Sequence, residues 1–235
     1  MKYFILAGEK SGDLHGSNLI SEIKQLDKEA VIQAWGGDSM SKQGAEILIH
    51  HNQLAIMGIL GVIQNLQRLK GLFKTFAQQI DSFQPDAVIF IDYGGFNLKA
   101  AKIAKKKGFH THFYIAPKVW AWNQKRALKL KEITDQIYSI LPFEPEFFAK
   151  FGMNVHYVGN PLLDEIRKFQ AHDFFFQKNE LSYQPIIALL PGSRKQELDA
   201  MLDRMIALVK EFPNAQFVVA GVDSLPGSVY DSARK

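Results

Sequence analysis

The sequence predicts an α/β protein: a parallel sheet with helices on both faces, followed by the opening part of a second α/β unit. Three observations predict it. Strand and helix signals alternate along the chain, separated by short Gly/Pro punctuation. Residues 87–91, Ala-Val-Ile-Phe-Ile, are continuously apolar, as a strand buried on both faces should be. The alternation lapses over residues 171–184, where His172, Asp173, Asn179 and Ser182 interrupt it, and resumes with a new strand.

Taken in order, residues 3–7 form the first strand. Their apolar run is too short for a secretory leader and is closed by Glu9 and Lys10, which predicts a cytoplasmic protein. Residues 12–26 carry helical spacing through Leu14, Leu19, Ile20, Ile23 and Leu26. Strands at 31–35 and 45–49 follow, the first ending in Gly36-Gly37. Residues 59–83 form a long amphipathic segment, with Leu60, Ile63, Leu66, Leu69, Leu72, Phe73, Phe76 and Ile80 recurring mostly at three and four, and Pro85 stops it. After the 87–91 strand come a helix at 96–107 ended by Gly108, a strand at 112–116, a helix at 121–133, a strand at 136–141, a helix near 144–151 and a strand at 155–158. Seven strands thus precede the break. The predicted organisation is a first domain over 1–168, a linker over 169–184 and a partial second domain over 185–235, with strands at 186–190 and 216–220 around a helix at 196–212. Two strands do not close a core, so the sequence is expected to end inside a domain.

Composition removes whole classes of function. With no cysteine there is no disulfide framework, zinc ribbon, iron–sulfur site or thiol nucleophile. A charged fraction of 22% beside 18 Phe and 3 Trp is too apolar for a disordered chain. No apolar run reaches the roughly 18 residues a membrane span needs. The net charge is only +4, but it is uneven: between Lys99 and Lys131 lie ten Lys or Arg and no Asp or Glu. Such a block attracts phosphates or anionic lipid head groups, or is simply the solvated face of two lysine-rich helices. No nucleic-acid motif accompanies it, and nucleic acid is not an expected partner.

In open parallel sheets ligands bind beyond the carboxyl ends of the strands, so the chemistry is sought there. After the first strand, Gly8-Glu-Lys-Ser-Gly-Asp-Leu-His-Gly16 places glycines and amides at a helix start, an anion site without the spacing of a dinucleotide fingerprint or a P-loop. Ser11 and Asp13 serve equally well there as helix caps. After 87–91 comes Asp92-Tyr-Gly-Gly-Phe-Asn97; a carboxylate at the mouth of a buried strand suits a general base, or caps the next helix. Pro117-Lys-Val-Trp-Ala-Trp122 sets two tryptophans beside cations, for a sugar phosphate or for core packing. Val158-Gly-Asn-Pro161 reads on spacing as a turn at Asn160. Pro191-Gly-Ser-Arg194 between a strand and a helix makes a phosphate seat of amides, helix dipole and guanidinium, with Ser193 and Gln196 as a capping box. The seven histidines show no metal-ligand spacing.

These motifs, with Met57-Gly58, Leu141-Pro-Phe-Glu144 and Leu189-Leu-Pro-Gly-Ser-Arg194 in this order, resemble the lipid-A-disaccharide synthase family, glycosyltransferases of the GT-B architecture. The resemblance implies a Rossmann-like N-terminal domain and the beginning of a second Rossmann-like, nucleotide-sugar-binding domain. It implies transfer of 2,3-diacylglucosamine from UDP-2,3-diacylglucosamine to the 6-hydroxyl of 2,3-diacylglucosamine 1-phosphate, with inversion and without metal or cofactor. It implies a peripheral position on the anionic cytoplasmic face of the inner membrane, and a homodimer only in a full-length form. Asp92 becomes the base and Arg194 the stabiliser of donor phosphate charge. Glu9, Ser11, Gly12, Asp13, Asn97, Trp120, Trp122, Asn160, Gly192 and Ser193 become substrate-binding residues. Leu60, Arg68, Lys70, Phe73, Lys74 and Phe76 become a membrane-facing set. Members of the family often carry Pro-Asp-Phe-Asn where this chain has Gly94-Gly-Phe-Asn97, so a second carboxylate beside Asp92 is missing. Family chains also run longer, which predicts weak or no catalysis by these 235 residues alone. Two other readings fit the same residues: another GT-B enzyme acting on UDP-sugars, such as an epimerase, and a non-catalytic lipid-binding module or inactive fragment of the family.

Overall fold

A computed structural model of the chain describes residues 1–54, 66–171, 174–223 and 225–234. They divide into two units, Met1–Lys168 and Phe169–Lys235.

The first unit holds seven parallel strands: β1 (Lys2–Ala7), β2 (Val31–Gly36), β3 (Glu46–His50), β4 (Ala87–Ile91), β5 (Thr111–Tyr114), β6 (Gln136–Ser139) and β7 (His156–Tyr157). Their spatial order is β3-β2-β1-β4-β5-β6-β7. The order reverses between β1 and β4, which are paired from Tyr3↔Ala87 to Ala7↔Ile91. Connections on either side of that pair leave in opposite directions, so a crevice opens at the carboxyl ends of these two strands.

Strand periodicity explains the two-sided core. In β1, Phe4 and Leu6 point to one face and Ile5 and Ala7 to the other, and all four are fully buried. The first face is covered by α4 (Leu66–Phe83), α5 (Gly94–Lys106) and α7 (Arg126–Ile133). The second is covered by α1 (Lys10–Leu26) and α2 (Asp38–Lys42). Short helical turns complete the unit: α3 (His51–Leu54), α6 (Val119–Trp122), α8 (Glu144–Ala149) and α9 (Leu162–Lys168). The helix expected over 121–133 is therefore two pieces, parted at Asn123–Lys125.

The apolar stripe of α4 goes into the core. Phe76 is fully buried and meets Phe4, Trp35 and Phe90 with ring centroids 5.6, 5.9 and 6.1 Å apart. Phe73 stacks on Phe96 at 4.4 Å. Phe76 is thus removed from the expected membrane-facing set: burial of a phenylalanine among three rings is worth about 3–5 kcal/mol, which no lipid contact is needed to supply. Arg68, Lys70 and Lys74 remain exposed, with Arg68 donating to the Gln53 carbonyl at 3.0 Å. Leu60 lies outside the described residues.

The second unit pairs β8 (Ile186–Leu189) with β9 (Gln216–Val219) in parallel, from Ile186↔Gln216 to Leu189↔Val219. α10 (Phe175–Lys178) lies inside the expected linker. α11 (Lys195–Ile206) follows β8 and runs on as a 3-10 turn, Ala207–Glu211; a second such turn spans Gly227–Arg234. Leu189, Leu198 and Leu202 are buried here, while Leu190, Leu208 and Phe212 stay exposed. A two-stranded sheet with one long helix has too little apolar surface to cover them.

Candidate functional site

At the crevice, Gly8 and Glu9 follow β1, and Asp92 and Tyr93 follow β4. A Cβ at Gly8 would stand 2.2 Å from the Tyr93 ring, so the glycine is what lets that ring lie across the end of β1. The Tyr93 hydroxyl donates to the Leu54 carbonyl at 3.2 Å. Asp92 and Tyr93 both sit in the left-handed region, with φ of 44° and 50°, as does Ile115 at the end of β5, with φ of 65°. Side chains with a Cβ avoid that region, and strain of this kind gathers at functional sites. The Asp92 N–H is anchored by donation to the Ile115 carbonyl at 3.1 Å.

Asn97 explains how the strained turn is held. It is fully buried, and its side-chain amide donates to the carbonyls of Asp92 at 2.8 Å, Ile91 at 3.2 Å and Leu6 at 3.5 Å. The side-chain nitrogen of Asn97 is thus committed to the backbone of β1 and β4, while its Oδ1 is buried with no hydrogen-bond partner. Beside Asp92, a Cβ on Gly95 would meet nothing within 4 Å, so that flank is open.

Asp92 is half-buried, and burial raises its pKa above the ordinary aspartate value. The charge of Glu9 adds to the rise, while Lys118 and the Tyr93 N–H oppose it. Glu9 thus supplies, from the next strand, a second carboxylate acting on Asp92 that the local motif lacks.

The other residues of the Gly8–Gly16 loop divide. Ser11 is exposed at the start of α1. Gly12 packs on Ala7, where a Cβ would reach the alanine Cβ at 3.2 Å. Asp13 is buried and accepts three backbone N–H groups, from Gly37 at 2.7 Å, Ser39 at 3.0 Å and Met40 at 3.1 Å. It caps α2 rather than offering a carboxylate to a ligand, which corrects its expected role. The Asn160 side chain accepts the Leu162 N–H at 3.0 Å, the turn its spacing suggested.

After β5, Lys118 precedes α6 and the Trp120 indole donates to Glu144 at 3.0 Å. The side chain of Trp122 lies outside what the structure describes. The burial of Glu144 and its bond to Trp120, 24 residues away, are visible in space alone.

In the second unit, Gly192 adopts φ +110°, and Glu197 closes the turn. The N–H groups of Ser193 and Arg194 both donate to one Glu197 oxygen, at 2.9 and 3.1 Å, and the Arg194 guanidinium reaches the other at 3.2 Å. The capping box is therefore Arg194 with Glu197, in place of Ser193 with Gln196. These donors hold the Glu197 carboxyl below the ordinary glutamate range. The turn is an anion seat already occupied by a carboxylate of its own helix.

A groove of about 830 Å³ opens elsewhere in the first unit, between α1 and α9 over Ile89, His112, Tyr114 and Tyr138. Its lining runs from Tyr3 and Ala87 near the strand starts to Tyr114, Tyr138 and Val158 at or just beyond strand ends.

The profile of the lipid-A-disaccharide synthetase family matches residues 3–225. Curated relatives named lipid-A-disaccharide synthase include that of Syntrophotalea carbinolica, 36% identical over 93% of this chain and 57% of the relative. That of Coxiella burnetii is 34% identical over 92% of this chain and 58% of its own length, and that of Geobacter sulfurreducens 33% over 95% and 60%. The chain thus spans somewhat over half the length of these relatives. Among solved structures, UDP-GlcNAc 2-epimerase from Neisseria meningitidis bound to UDP-GlcNAc superposes with a TM-score of 0.66 over 98% of this chain and 69% of its own, at 12% identity. The epimerase from Rickettsia bellii gives 0.64 over 95% and 62%, at 14%. Those two share the fold. The match that carries kinship is the family profile, which runs through both strand mouths just described, and by it this chain belongs to the lipid-A-disaccharide synthetase family.

Proposed function

We propose that this chain carries the acceptor-side machinery, and the first part of the donor-side machinery, of a glycosyltransferase of lipid A biosynthesis. The donor is UDP-2,3-diacylglucosamine and the acceptor is 2,3-diacylglucosamine 1-phosphate. The observation that carries the reading is Asp92: a half-buried carboxyl with raised proton affinity, on a strained turn at the point where strand order reverses.

The chemistry follows from that placement. Ionised Asp92 takes the proton of the acceptor 6-hydroxyl as its oxygen attacks the anomeric carbon of the donor. The bond from that carbon to the diphosphate breaks on the opposite side, and UDP leaves with the electron pair. Arg194 and the amides at the start of α11 offset the charge that develops on the departing phosphate once it displaces the Glu197 carboxylate from them. A raised pKa makes Asp92 a stronger base than an exposed aspartate, and the rate rises with pH as it ionises.

The acyl chains place the substrates in a membrane. No helix among the described residues is long and apolar enough to cross one. Exposed Arg68, Lys70 and Lys74 on α4 supply attraction to anionic lipid, at about 1 kcal/mol per cation near the surface. Flotation with anionic vesicles at low salt checks this, and a chain left at the bottom of the gradient rejects it.

The decisive experiment uses a chain extended to the family's full length. Asp92→Ala and Arg194→Ala should each lower turnover sharply while leaving the thermal unfolding midpoint within a few degrees of wild type. Wild-type rates in both would remove the mechanism. Plain UDP-GlcNAc offered in place of the acylated donor separates this activity from that of another UDP-sugar enzyme.

A further inference from the structure

Two indole N–H groups in the first unit find side-chain acceptors, by different means. Trp35, fully buried in the core, donates to the neutral amide oxygen of Gln79 at 2.7 Å. Trp120, beyond the end of β5, donates to the carboxyl of Glu144 at 3.0 Å. Glu144 is 2% exposed. Its second oxygen is buried without a hydrogen-bond partner. A neutral amide satisfies an indole equally well, as Gln79 does, and burying a carboxyl is costly in a way burying an amide is not. A carboxyl at position 144 therefore does more than satisfy the indole: when ionised it makes the bond to Trp120 charge-assisted.

We infer that Glu144 is a positioning residue, which fixes the Trp120 indole by hydrogen bond beyond the carboxyl end of β5, so that the ring presents one face to the sugar of the acceptor. Trp120 is further braced by Phe143, edge-on at 5.0 Å, on the residue next to Glu144. A charge-assisted bond is stronger than its neutral counterpart, and it holds a partly exposed ring in one orientation. The groups around the carboxyl are Trp120 and Lys118 from the segment after β5, Ser139 at the end of β6 and the backbone of Leu141. Burial raises the Glu144 pKa above the ordinary value, against the pull of those groups. The link is therefore titratable, with its midpoint above the ordinary glutamate value.

The sugar in this proposal rests on the function proposed above; the Glu144–Trp120 link does not. The test uses the 235-residue chain with nitrogen-15 in its three indoles. Trp120→Phe assigns the Trp120 signal, and an unmoved Trp35 signal reports an intact core. In the wild type the Trp120 indole shift should move with pH, with a midpoint above the ordinary glutamate value. In Glu144→Gln it should sit near the wild type's acid-limit position at every pH and cease to titrate. A Trp120 signal that ignores pH in the wild type, or titrates unchanged in Glu144→Gln, overturns the proposal.

The second arm titrates 2,3-diacylglucosamine 1-phosphate in micelles. Glu144→Gln should bind it about three- to tenfold more weakly, the loss expected when one charge-assisted contact becomes neutral. Equal affinity for wild type and Glu144→Gln overturns the positioning role even if the indole titrates. Absence of binding by the wild type counts against the acceptor reading, and the indole arm still decides the link.

Discussion

The mouths of β4 and β8 hold carboxyl groups under opposite rules. Asp92 sits against a seven-stranded sheet, where burial raises its pKa and a neighbouring carboxylate adds to the rise. Glu197 lies beside a two-stranded sheet, where two backbone N–H groups and a guanidinium hold its carboxyl below the usual range. The difference is one of architecture. A wide, doubly covered sheet excludes enough water to keep a carboxyl ready to take a proton. A narrow sheet excludes little, and there the left-handed turn at Gly192 gathers amides that favour negative charge. One mouth is suited to moving a proton, the other to holding an anion.

The sharpest way to break that contrast is Asp92→Asn. In a full-length chain it should reduce turnover by about 10²–10⁴-fold, the usual contribution of a positioned base. It should also stabilise the fold at neutral pH, by on the order of 1 kcal/mol. The sign follows from linkage. The folded pKa lies above the unfolded one, so stability falls as pH rises from the ordinary aspartate range through the raised folded value. At neutral pH the folded protein bears the cost of the ionised form, and asparagine removes it. A calorimetric midpoint that drops, together with unchanged turnover, would assign Asp92 to structure.

Asn97→Ala is next in size. It withdraws the donor to the Asp92 carbonyl, opens a cavity under the strained turn, and should destabilise by about 2–3 kcal/mol. Asn160→Ala removes an exposed turn contact and should cost about 0.5–1 kcal/mol. Urea midpoints at constant m-value measure both. Equal losses would mean that the turn after β4 is held by something other than Asn97.

These pairs show what the sequence made legible. Asp92 could be found because it follows five apolar residues, and a strand of that kind has a predictable end. Asn97 could not be placed, because an asparagine one turn into a helix points either to a ligand or back under the strands with the same spacing. Phe76 teaches the same lesson for packing. A three-and-four repeat identifies an apolar face, but only the rings of Phe4, Trp35 and Phe90 reveal that the sheet covers it. Glu144 was hidden for another reason: its partner Trp120 lies a helix and a strand earlier, and no local pattern links them. The sheet order needed less, since alternating strands and helices with short connections leave few arrangements.

The smallest expected effect, and the one that separates the two mouths most cleanly, is Glu197→Gln. Glutamine keeps an acceptor for the Ser193 and Arg194 amides but withdraws the negative charge that competes with an incoming phosphate. UDP should bind the variant about two- to fivefold more tightly at neutral pH, a change in the range of one weakened charge-assisted contact. The wild type carries a second signature. The folded pKa of Glu197 lies below the unfolded one, so its stabilising contribution is present above the ordinary glutamate value, about 4.3, and is lost as pH falls through the folded value. Urea midpoints for wild type and variant should therefore draw together in acid and part again toward neutrality. If UDP affinity were unchanged and the midpoints differed equally at both ends, the carboxylate would not be the internal occupant of the seat. The α11 turn would then be an ordinary cap, and the electrostatic contrast with Asp92 would rest on the first unit alone.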